Sequence, residues 1–384
     1  MLALSPYWRG SLYYIAFWGA IGSVAAFFGV RWTELGITPT QLGLLSIFGP
    51  IAGLTLAPIL ARIADSKMLH REIIAGSLLL FGTAMCFGVF VTNFWGAALL
   101  SIVTALGAMA LGPVGDGLIA RMASSHGLQF GRMRLWGSFS FGVTSLLCGL
   151  LYKQTGYQPM FVIGGCILLA TIPLARNLEP SQDRELNSAE LAVKPAAEPV
   201  KTVFEAGLIV ILLVNLLIGL GLGFVGPYYG VHLAQLGADA AQIGLFYAII
   251  AFSEPITMQF EKRIAKRIGD GGVLLLASVL YTIGHLLYTI APSAAWMLPI
   301  ASLQGLAFGL FFVGSVRMVD ARAGSMISTL QGWRNAMLGG VAPLIGAAVG
   351  GWMSGQYGIT SVFGLTTVMM LVSSLVIFAA RKWL

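Results

Sequence analysis

Charged side chains are scarce in this 384-residue sequence. They make up 10% of the chain, whereas about 25% is usual in soluble domains, and hydrophobic residues reach 57%. The 22 basic and 15 acidic side chains are too few to cover a particle of 40.7 kDa in water. The mean hydropathy is +0.86. The composition therefore excludes a soluble protein and predicts a surface that mostly faces lipid.

Cysteine and the short motifs of enzymes are sparse as well. Cys86, Cys148 and Cys166 fall inside apolar stretches, at spacings that match neither a disulfide framework nor a zinc site. The sequence has no phosphate-binding loop of the type Gly-x-x-x-x-Gly-Lys-Ser/Thr and no His-Glu-x-x-His. We therefore expect neither an enzyme nor an ATP-driven pump, and no cofactor or metal.

Long apolar runs take the place of the missing charge. A helix needs about 20 apolar residues to cross roughly 30 Å of hydrocarbon, and only helices or closed barrels satisfy their backbone there. The runs do not alternate as barrel strands would, which predicts an all-α polytopic membrane protein with twelve transmembrane helices. The predicted spans are 11–30, 39–61, 72–91, 96–119, 135–152, 157–176, 205–227, 240–261, 272–291, 294–316, 327–352 and 358–380.

Lys and Arg are unevenly divided between the two sets of loops. One set carries most of them, whereas the other has only Arg31 and Lys153. Basic residues near span ends are retained in the cytoplasm, so we expect both termini to be cytoplasmic in an inner or plasma membrane. The net charge of +7 follows this topology and does not indicate nucleic-acid binding.

The middle of the chain separates two similar halves. Residues 177–204 are rich in Pro, Ala, Glu and Lys without an apolar period, which predicts a cytoplasmic linker between halves 1–176 and 205–384. LGITPTQLGLL (35–45) aligns without gaps to LGADAAQIGLF (236–246), and Arg-Ile-Ala recurs at the same offset. Two pseudo-symmetric six-helix halves predict a binding site between them, near mid-membrane and reached alternately from each side.

Several motifs resemble the major facilitator superfamily. FGRMRLWGSFSFG (130–142) resembles the signature of its phenylpropionate permease and nucleoside-proton symporter branch, which is related to lactose permease. FSEPITMQFEKRIAKRIG (252–269) is similar to the eighth helix of that branch, and GPVGDGLIARMA (112–123) to its fourth. The resemblance implies a fold of twelve helices and proton-driven uptake of a small organic solute such as an aromatic acid, a nucleoside or a sugar.

The resemblance also implies a set of gating residues. ARIADSKMLHR (61–71) keeps the acidic and basic positions of the superfamily's loop between helices 2 and 3, although Ala61 replaces its first Gly. The implied gating residues are Asp65, Arg71, Arg132 and Arg134. The chain departs from the branch at His285, where an Arg is common, and at Gln304-Gly305, where a His-Gly pair is common.

Three ionisable residues are candidates for proton coupling. A charge at a helix centre costs at least about 2.5–3.5 kcal/mol, so such residues tend to be functional. Glu254 is the deepest acid and has Gly53 as its repeat counterpart; packing against an Arg or Tyr is the alternative. His285 can relay a proton or sit neutral on a helix carbonyl. Asp116 can carry a proton or form an ion pair with Arg121 or Arg134 that closes the cytoplasmic side.

Other residues are candidates for holding the solute. Arg334 can bind a carboxylate with both arms of its guanidinium, or extend to the lipid headgroups from a shallow position. Trp18 and Tyr14, one turn apart, can form a stacking wall, whereas Tyr228 and Tyr229 can also be interface anchors. The predicted solute-binding set is Tyr14, Trp18, Tyr228, Gln304, Arg334 and Asn335.

The sequence favours a monomeric secondary transporter that takes up a small molecule together with protons. A proton-coupled antiporter that exports drugs or metabolites fits the same features. A membrane sensor is a more distant alternative, since no segment resembles a signalling domain.

Overall fold

The computed structural model describes residues 4–178, 205–323 and 326–384, so the predicted linker 177–204 lies almost entirely outside the described residues. The helices long and apolar enough to cross a membrane are α1 Pro6–Glu34, α2 Pro39–Lys67, α3 His70–Phe90, α4 Phe94–Ser125, α5 Phe130–Thr155, α6 Pro159–Arg176, α7 Ala206–Gln235, a 50-residue stretch Ala240–Thr289, α10 Ala294–Arg322, α11 Thr329–Tyr357 and α12 Ile359–Ala379.

The 50-residue stretch contains two spans. Its backbone leaves the helical region at Gly269, where φ is 75° and ψ is 169°. Glycine adopts this left-handed region without the steric cost that a Cβ would bring. The stretch therefore divides into α8 (240–268) and α9 (270–289). Counted in this way, the described residues contain the twelve predicted spans.

The internal repeat reappears as two equivalent turns. Gly36 after α1 and Gly237 after α7 both have positive φ, 77° and 86°. Two residues later, Thr38 and Asp239 cap the N-termini of α2 and α8, and each forms a capping box with the Gln three residues on. The repeated Leu-Gly and Gln thus fix where one helix ends and the next begins in each half.

The backbones of the two halves, α1–α6 and α7–α12, approach each other closely at glycines near one side of the molecule. We call the side where α1 begins and α12 ends the terminal face, and the other side the opposite face. A Cβ on Gly43 of α2 would lie 2.5 Å from the Gly351 Cα of α11, and one on Gly149 of α5 would lie 2.6 Å from the Ala240 carbonyl oxygen of α8. Small residues permit this close approach of helix backbones.

Polar contacts join the halves at the same face. The Lys153 ammonium pairs with the Asp239 carboxylate at 2.8 Å, and the Tyr228 hydroxyl donates to the Pro39 carbonyl at 2.9 Å. On the terminal face, the ion pairs of Arg121 with Asp65 at 3.4 Å, of Arg317 with Glu261 and Asp270 at 2.8 Å each, and of Arg322 with Glu205 at 3.7 Å all lie within one half. The halves are therefore fastened together at the opposite face.

Candidate functional site

A cavity of about 410 Å³ lies between the two halves, near the middle of the spans. Helices α1 and α5 supply one wall, and α7 to α10 supply the other. Its polar lining includes Arg134, Glu254 and Gln304, and its aromatic lining is Trp18, Phe141, Tyr229, Tyr247, Tyr281 and Phe308. A second cavity of about 310 Å³, inside the first half, has no charged residue in its lining. Charge and aromatic surface therefore meet in the cavity between the halves.

Glu254 stands on α8 at this cavity, where tight packing against α10 holds the helix. A Cβ on Gly309 of α10 would collide with the Glu254 carbonyl oxygen, and the Thr257 hydroxyl donates to the Leu306 carbonyl at 2.9 Å. The Glu254 side chain is half-buried, and no described residue donates a hydrogen bond to its carboxylate. The carboxylate is therefore neither fixed by packing partners nor bathed in bulk solvent.

Arg134 lies across the cavity from Glu254, although the sequence placed it among the gating residues. Its guanidinium stacks over the Trp18 ring at 4.3 Å and lies 5.4 Å from the Tyr14 ring. It lines the same cavity as Glu254, but no carboxylate among the described residues is within the 4 Å of an ion pair with it. Arg134 is thus held by aromatic faces and remains available to an anion.

Asp116 does not form the ion pair expected of it. Its carboxylate accepts a hydrogen bond from the Tyr14 hydroxyl at 2.6 Å, and Arg121 pairs instead with Asp65. Residues five apart on a helix point in directions about 140° apart, which separates Asp116 from Arg121. The expectation that Asp116 closes the cytoplasmic side with Arg121 or Arg134 is therefore wrong for this structure.

His285 is fully buried on α9 and touches the cavity through its neighbours. Its Nδ1 lies 2.8 Å from the Tyr281 carbonyl oxygen, four residues earlier, and its Nε2 lies 2.8 Å from the Tyr229 hydroxyl. This is the bonded arrangement that was the alternative to a proton relay. Both tyrosines line the cavity.

Arg334 is buried and does not reach the headgroups, so the alternative of a shallow, extended side chain is wrong. The residue is 3% exposed, and its guanidinium donates to Gln331 at 2.8 Å, Ser315 at 3.3 Å and the neighbouring Asn335 at 2.7 Å. Gln331 in turn donates to Asp320 at 2.8 Å. Neither Arg334 nor Asn335 lines the cavity between the halves.

The predicted tyrosines take different positions. Tyr228 is fully buried, and its hydroxyl donates a hydrogen bond to the Pro39 carbonyl at the opposite face. It does not line the cavity. Tyr14 binds Asp116 and lies under Arg134, one layer behind the wall. Trp18 and Gln304 do line the cavity. Of the predicted solute-binding set, the structure thus brings these two to the cavity and Tyr14 close behind it.

The remaining gating candidates lie on the terminal face. Asp65 contacts His70 at 2.8 Å as well as Arg121. Arg71 donates to the carbonyls of Arg176 and Leu178, which caps the end of α6. Arg132 is exposed at the start of α5.

Sequence reasoning missed part of the aromatic wall. Phe141, Tyr247, Tyr281 and Phe308 line the cavity, and the Tyr281 hydroxyl is buried without a partner among the described residues. Aromatic residues are common throughout these spans, and a sequence shows no helix rotation that would single these out. Only Tyr281 could have been singled out from the sequence, because it lies one helical turn before the candidate residue His285.

Comparisons with known proteins agree with this architecture. A profile of the MFS_1 like family matches residues 7–380. The chain is 24% identical to the maltose permease of Geobacillus stearothermophilus, over 97% of this chain and 93% of that protein. It is 24% identical to the "Probable 3-phenylpropionic acid transporter" of Escherichia coli (strain K12), over 100% of this chain and 99% of the relative. The crystal structure of the nucleoside transporter NupG is similar in fold, with a TM-score of 0.79 at 15% identity over 99% of both chains.

Proposed function

Because the chain belongs to the MFS_1 like family and is a multi-pass membrane transporter of the major facilitator superfamily, we propose that it imports a small organic acid together with protons. One observation carries the proposal: the Glu254 carboxylate and the Arg134 guanidinium share one cavity between the halves without pairing. An acid free to exchange a proton and a cation free to bind an anion are the two parts that such a symporter needs.

The proposed cycle alternates access between the two faces. The terminal face is cytoplasmic in this proposal, because it carries the basic loops. The contacts at the opposite face then correspond to an inward-facing carrier. Opening that face requires separating the glycine contacts and the pair of Lys153 with Asp239. Solute and proton would enter there and leave into the cytoplasm.

Glu254 is the proposed proton carrier. A carboxyl withdrawn from bulk water, with no fixed hydrogen-bond donor, can bind a proton more readily than one on a surface. Arg134 lines the same cavity as Glu254, so an anion bound at Arg134 would offset the positive charge of the guanidinium and favour protonation of Glu254. Solute and proton would thereby assist each other's binding.

The proposed solute is a planar carboxylate. Arg134 can hold a carboxylate with two parallel hydrogen bonds, and Trp18 with Phe141 and Tyr247 offers faces for an aromatic ring. The relative named for 3-phenylpropionic acid supports this choice. A sugar or nucleoside would use the aromatic faces but leave the guanidinium without an anion.

The test is transport by the purified chain in liposomes. Counterflow of labelled 3-phenylpropionate, with uridine and maltose as competitors, measures solute choice without a gradient. A lumen more alkaline than the outside should then drive accumulation beyond that of protein-free liposomes, which take up weak acids passively. Counterflow of none of the three would overturn the proposed solutes, whereas accumulation into an acidic lumen would favour the export antiporter.

A further inference from the structure

A groove of about 680 Å³ lies between α3 and α6 at the terminal face. Its charged lining comes from the first turn of α3 and the last turn of α6: Arg71, Glu72 and Arg176. The rest of its lining is apolar and comes from deeper in the same helices: Ala75, Gly76, Leu79 and Ile172. Neither helix contributes a residue to the lining of the cavity between the halves. The groove is therefore separate from the proposed solute site.

The groove begins at a close crossing of the two helices. A Cβ on Gly82 of α3 would lie 3.0 Å from the Gly165 carbonyl oxygen of α6, so the two backbones nearly touch there. Ala75 on α3 and Ile172 on α6 each lie seven residues from these glycines, towards the terminal face. Positions seven apart share one face of a helix. The faces that touch at the glycines thus continue as the walls of the groove, and the helices diverge towards the terminal face.

The apolar part of the groove is open and is not filled by protein. A Cβ on Gly76 would meet nothing within 4 Å. Leu79, about one turn further from the terminal face, is 54% exposed. An apolar opening on a membrane-spanning helix faces lipid tails, which are as apolar as leucine itself. The space therefore suits an acyl chain.

Two arginines flank the end of the groove at the terminal face. They lie eleven residues, about three turns, from the glycines of the crossing: Arg71 from Gly82 and Arg176 from Gly165. Arg71 Nη1 donates to the carbonyl oxygens of Arg176 and Leu178, at 3.2 and 3.4 Å. A guanidinium has five N–H donors, so those on Nε and Nη2 of Arg71 are left for another acceptor.

Neither arginine has a carboxylate partner among the described residues. Glu72 also lines the groove and is exposed, but it lies beyond the 4 Å of an ion pair with Arg71 or Arg176. Two cations and one anion leave a single net positive charge at this end of the groove. The groove thus matches a ligand that is anionic at one end and apolar along the rest of its length.

We propose that this groove binds an anionic phospholipid, with its phosphate at Arg71 and Arg176 and an acyl chain along Ala75, Gly76 and Ile172. Arginine binds phosphate oxygens with two parallel hydrogen bonds. Basic pockets between membrane-spanning helices bind anionic headgroups in the same way. The two arginines lie where α3 begins and α6 ends, which is the level of the headgroups beside a span.

The test measures lipid binding to delipidated full-length protein by native mass spectrometry. Dioleoyl phosphatidylglycerol and dioleoyl phosphatidylcholine have the same acyl chains, so their comparison isolates the charge of the headgroup. The wild type should bind the anionic lipid about tenfold more tightly. Glycerol phosphate, which has a phosphate but no acyl chain, should not displace it. No solute is present, so the result is independent of the proposed function.

Two variants locate the site. Arg176→Gln removes one of the two charges and breaks no side-chain hydrogen bond between described residues, and it should weaken phosphatidylglycerol binding about fivefold. Gly76→Leu fills the open part of the groove and should weaken binding of both lipids. The matched controls are Arg62→Gln, an exposed arginine near the end of α2, and Gly53→Leu, where a Cβ also meets nothing within 4 Å. Both controls should bind as the wild type does, and melting temperatures without lipid check folding.

Equal affinity of the wild type for the two lipids would overturn the proposal and leave acidic residues of the linker, such as Asp183 and Glu185, as partners of the arginines. Equal losses in Arg176→Gln and Arg62→Gln would show attraction to the whole basic face and no defined site. Normal binding by Gly76→Leu would exclude the groove, and displacement by glycerol phosphate would assign the arginines to a free phosphate. If Gly76→Leu does not fold, the comparison of Arg176→Gln with Arg62→Gln decides.

Discussion

Substituting an amide for the Glu254 carboxyl keeps the size of the side chain and removes its proton. In Glu254→Gln, we expect counterflow exchange of solute to persist, because exchange needs no net proton movement. Accumulation driven by a pH gradient should fall to the level of protein-free liposomes. Glu72→Gln makes the same chemical change at an exposed site on α3 and should accumulate normally. Normal accumulation by Glu254→Gln would contradict the assignment and move the search for the proton site to Asp116 and His285.

A substitution at Arg134 tests whether the solute is a carboxylate. Lysine keeps the charge but loses the planar guanidinium that stacks on Trp18 and binds two oxygens at once. We expect Arg134→Lys to weaken 3-phenylpropionate binding by about tenfold or more, measured as a dissociation constant in detergent. Arg132→Lys, two residues earlier and exposed, is the matched control. Unchanged affinity in both variants would exclude an anion site at Arg134.

The place of a residue could be predicted from the sequence where its depth within a span was sufficient to identify it. Glu254 follows from its depth in an apolar run, and the structure places it at the cavity. Tyr228 and Arg334 were misplaced because the direction of a side chain depends on helix rotation. Tyr228 lies in a 3-10 turn, Gly226–Tyr228, and Arg334 lies just before a π-helical stretch, Met337–Val341. Both features change the rotation in ways that a residue pattern does not reveal.

Among the elements, α5 and α8 meet at the opposite face through Lys153 and Asp239. Asp239→Asn retains an N-cap for α8 but removes the charge, so the closed face should open more often. A cysteine replacing Ser138 in the cavity, in a chain without other cysteines, should then react up to about fivefold faster with an impermeant maleimide added from that face. Arg31→Gln breaks a pair with Glu34 inside α1 and should leave the rate unchanged.

The ion pair of Lys153 with Asp239 also has a predictable dependence on pH. The hydrogen bond from the Lys153 ammonium, followed by that from the Gln242 N–H, holds the pKa of the Asp239 carboxyl below its usual value. A lowered pKa means that the interaction is present above the ordinary value and is lost only as pH falls through the lowered one. The labelling rate of the wild type should therefore not change through this pair between about pH 5 and 8. A pH dependence in that range would have to come from the cavity.

The membrane-spanning helices themselves could largely be predicted from the sequence. Apolar length gave all twelve spans, and the repeated Leu-Gly and Gln marked the turns at Gly36 and Gly237. The ends of the helices were harder to predict, because α1 and α7 continue beyond the apolar run to Glu34 and Gln235. Hydropathy cannot show that extension, which packs against the other half: a Cβ on Gly29 would lie 2.5 Å from the Pro227 carbonyl oxygen.

For the whole molecule, orientation is the first quantity to measure. Basic loops on the terminal face predict that both termini are cytoplasmic. Protease added to inside-out vesicles should therefore cut within 177–204, whereas protease added to right-side-out vesicles should not. A lysed sample, cut in either case, controls for access. Cleavage from the outside alone would reverse the topology and turn the present closed face toward the cytoplasm.

Alternating access requires that the opposite face can close, and a single glycine tests this. In α2, a Cβ on Gly43 would meet the Gly351 Cα at 2.5 Å, whereas one on Gly53 meets nothing within 4 Å. Gly43→Leu should therefore hold the halves apart at that face, while Gly53→Leu on the same helix should not. We expect Gly43→Leu to bind 3-phenylpropionate but to lose counterflow, and its Ser138→Cys derivative to label at least tenfold faster from that face. Both effects have one cause, since a carrier that cannot close one side cannot open the other. Normal counterflow in Gly43→Leu would show that the glycine contacts are not needed for the cycle, and the proposed alternation would fail with them.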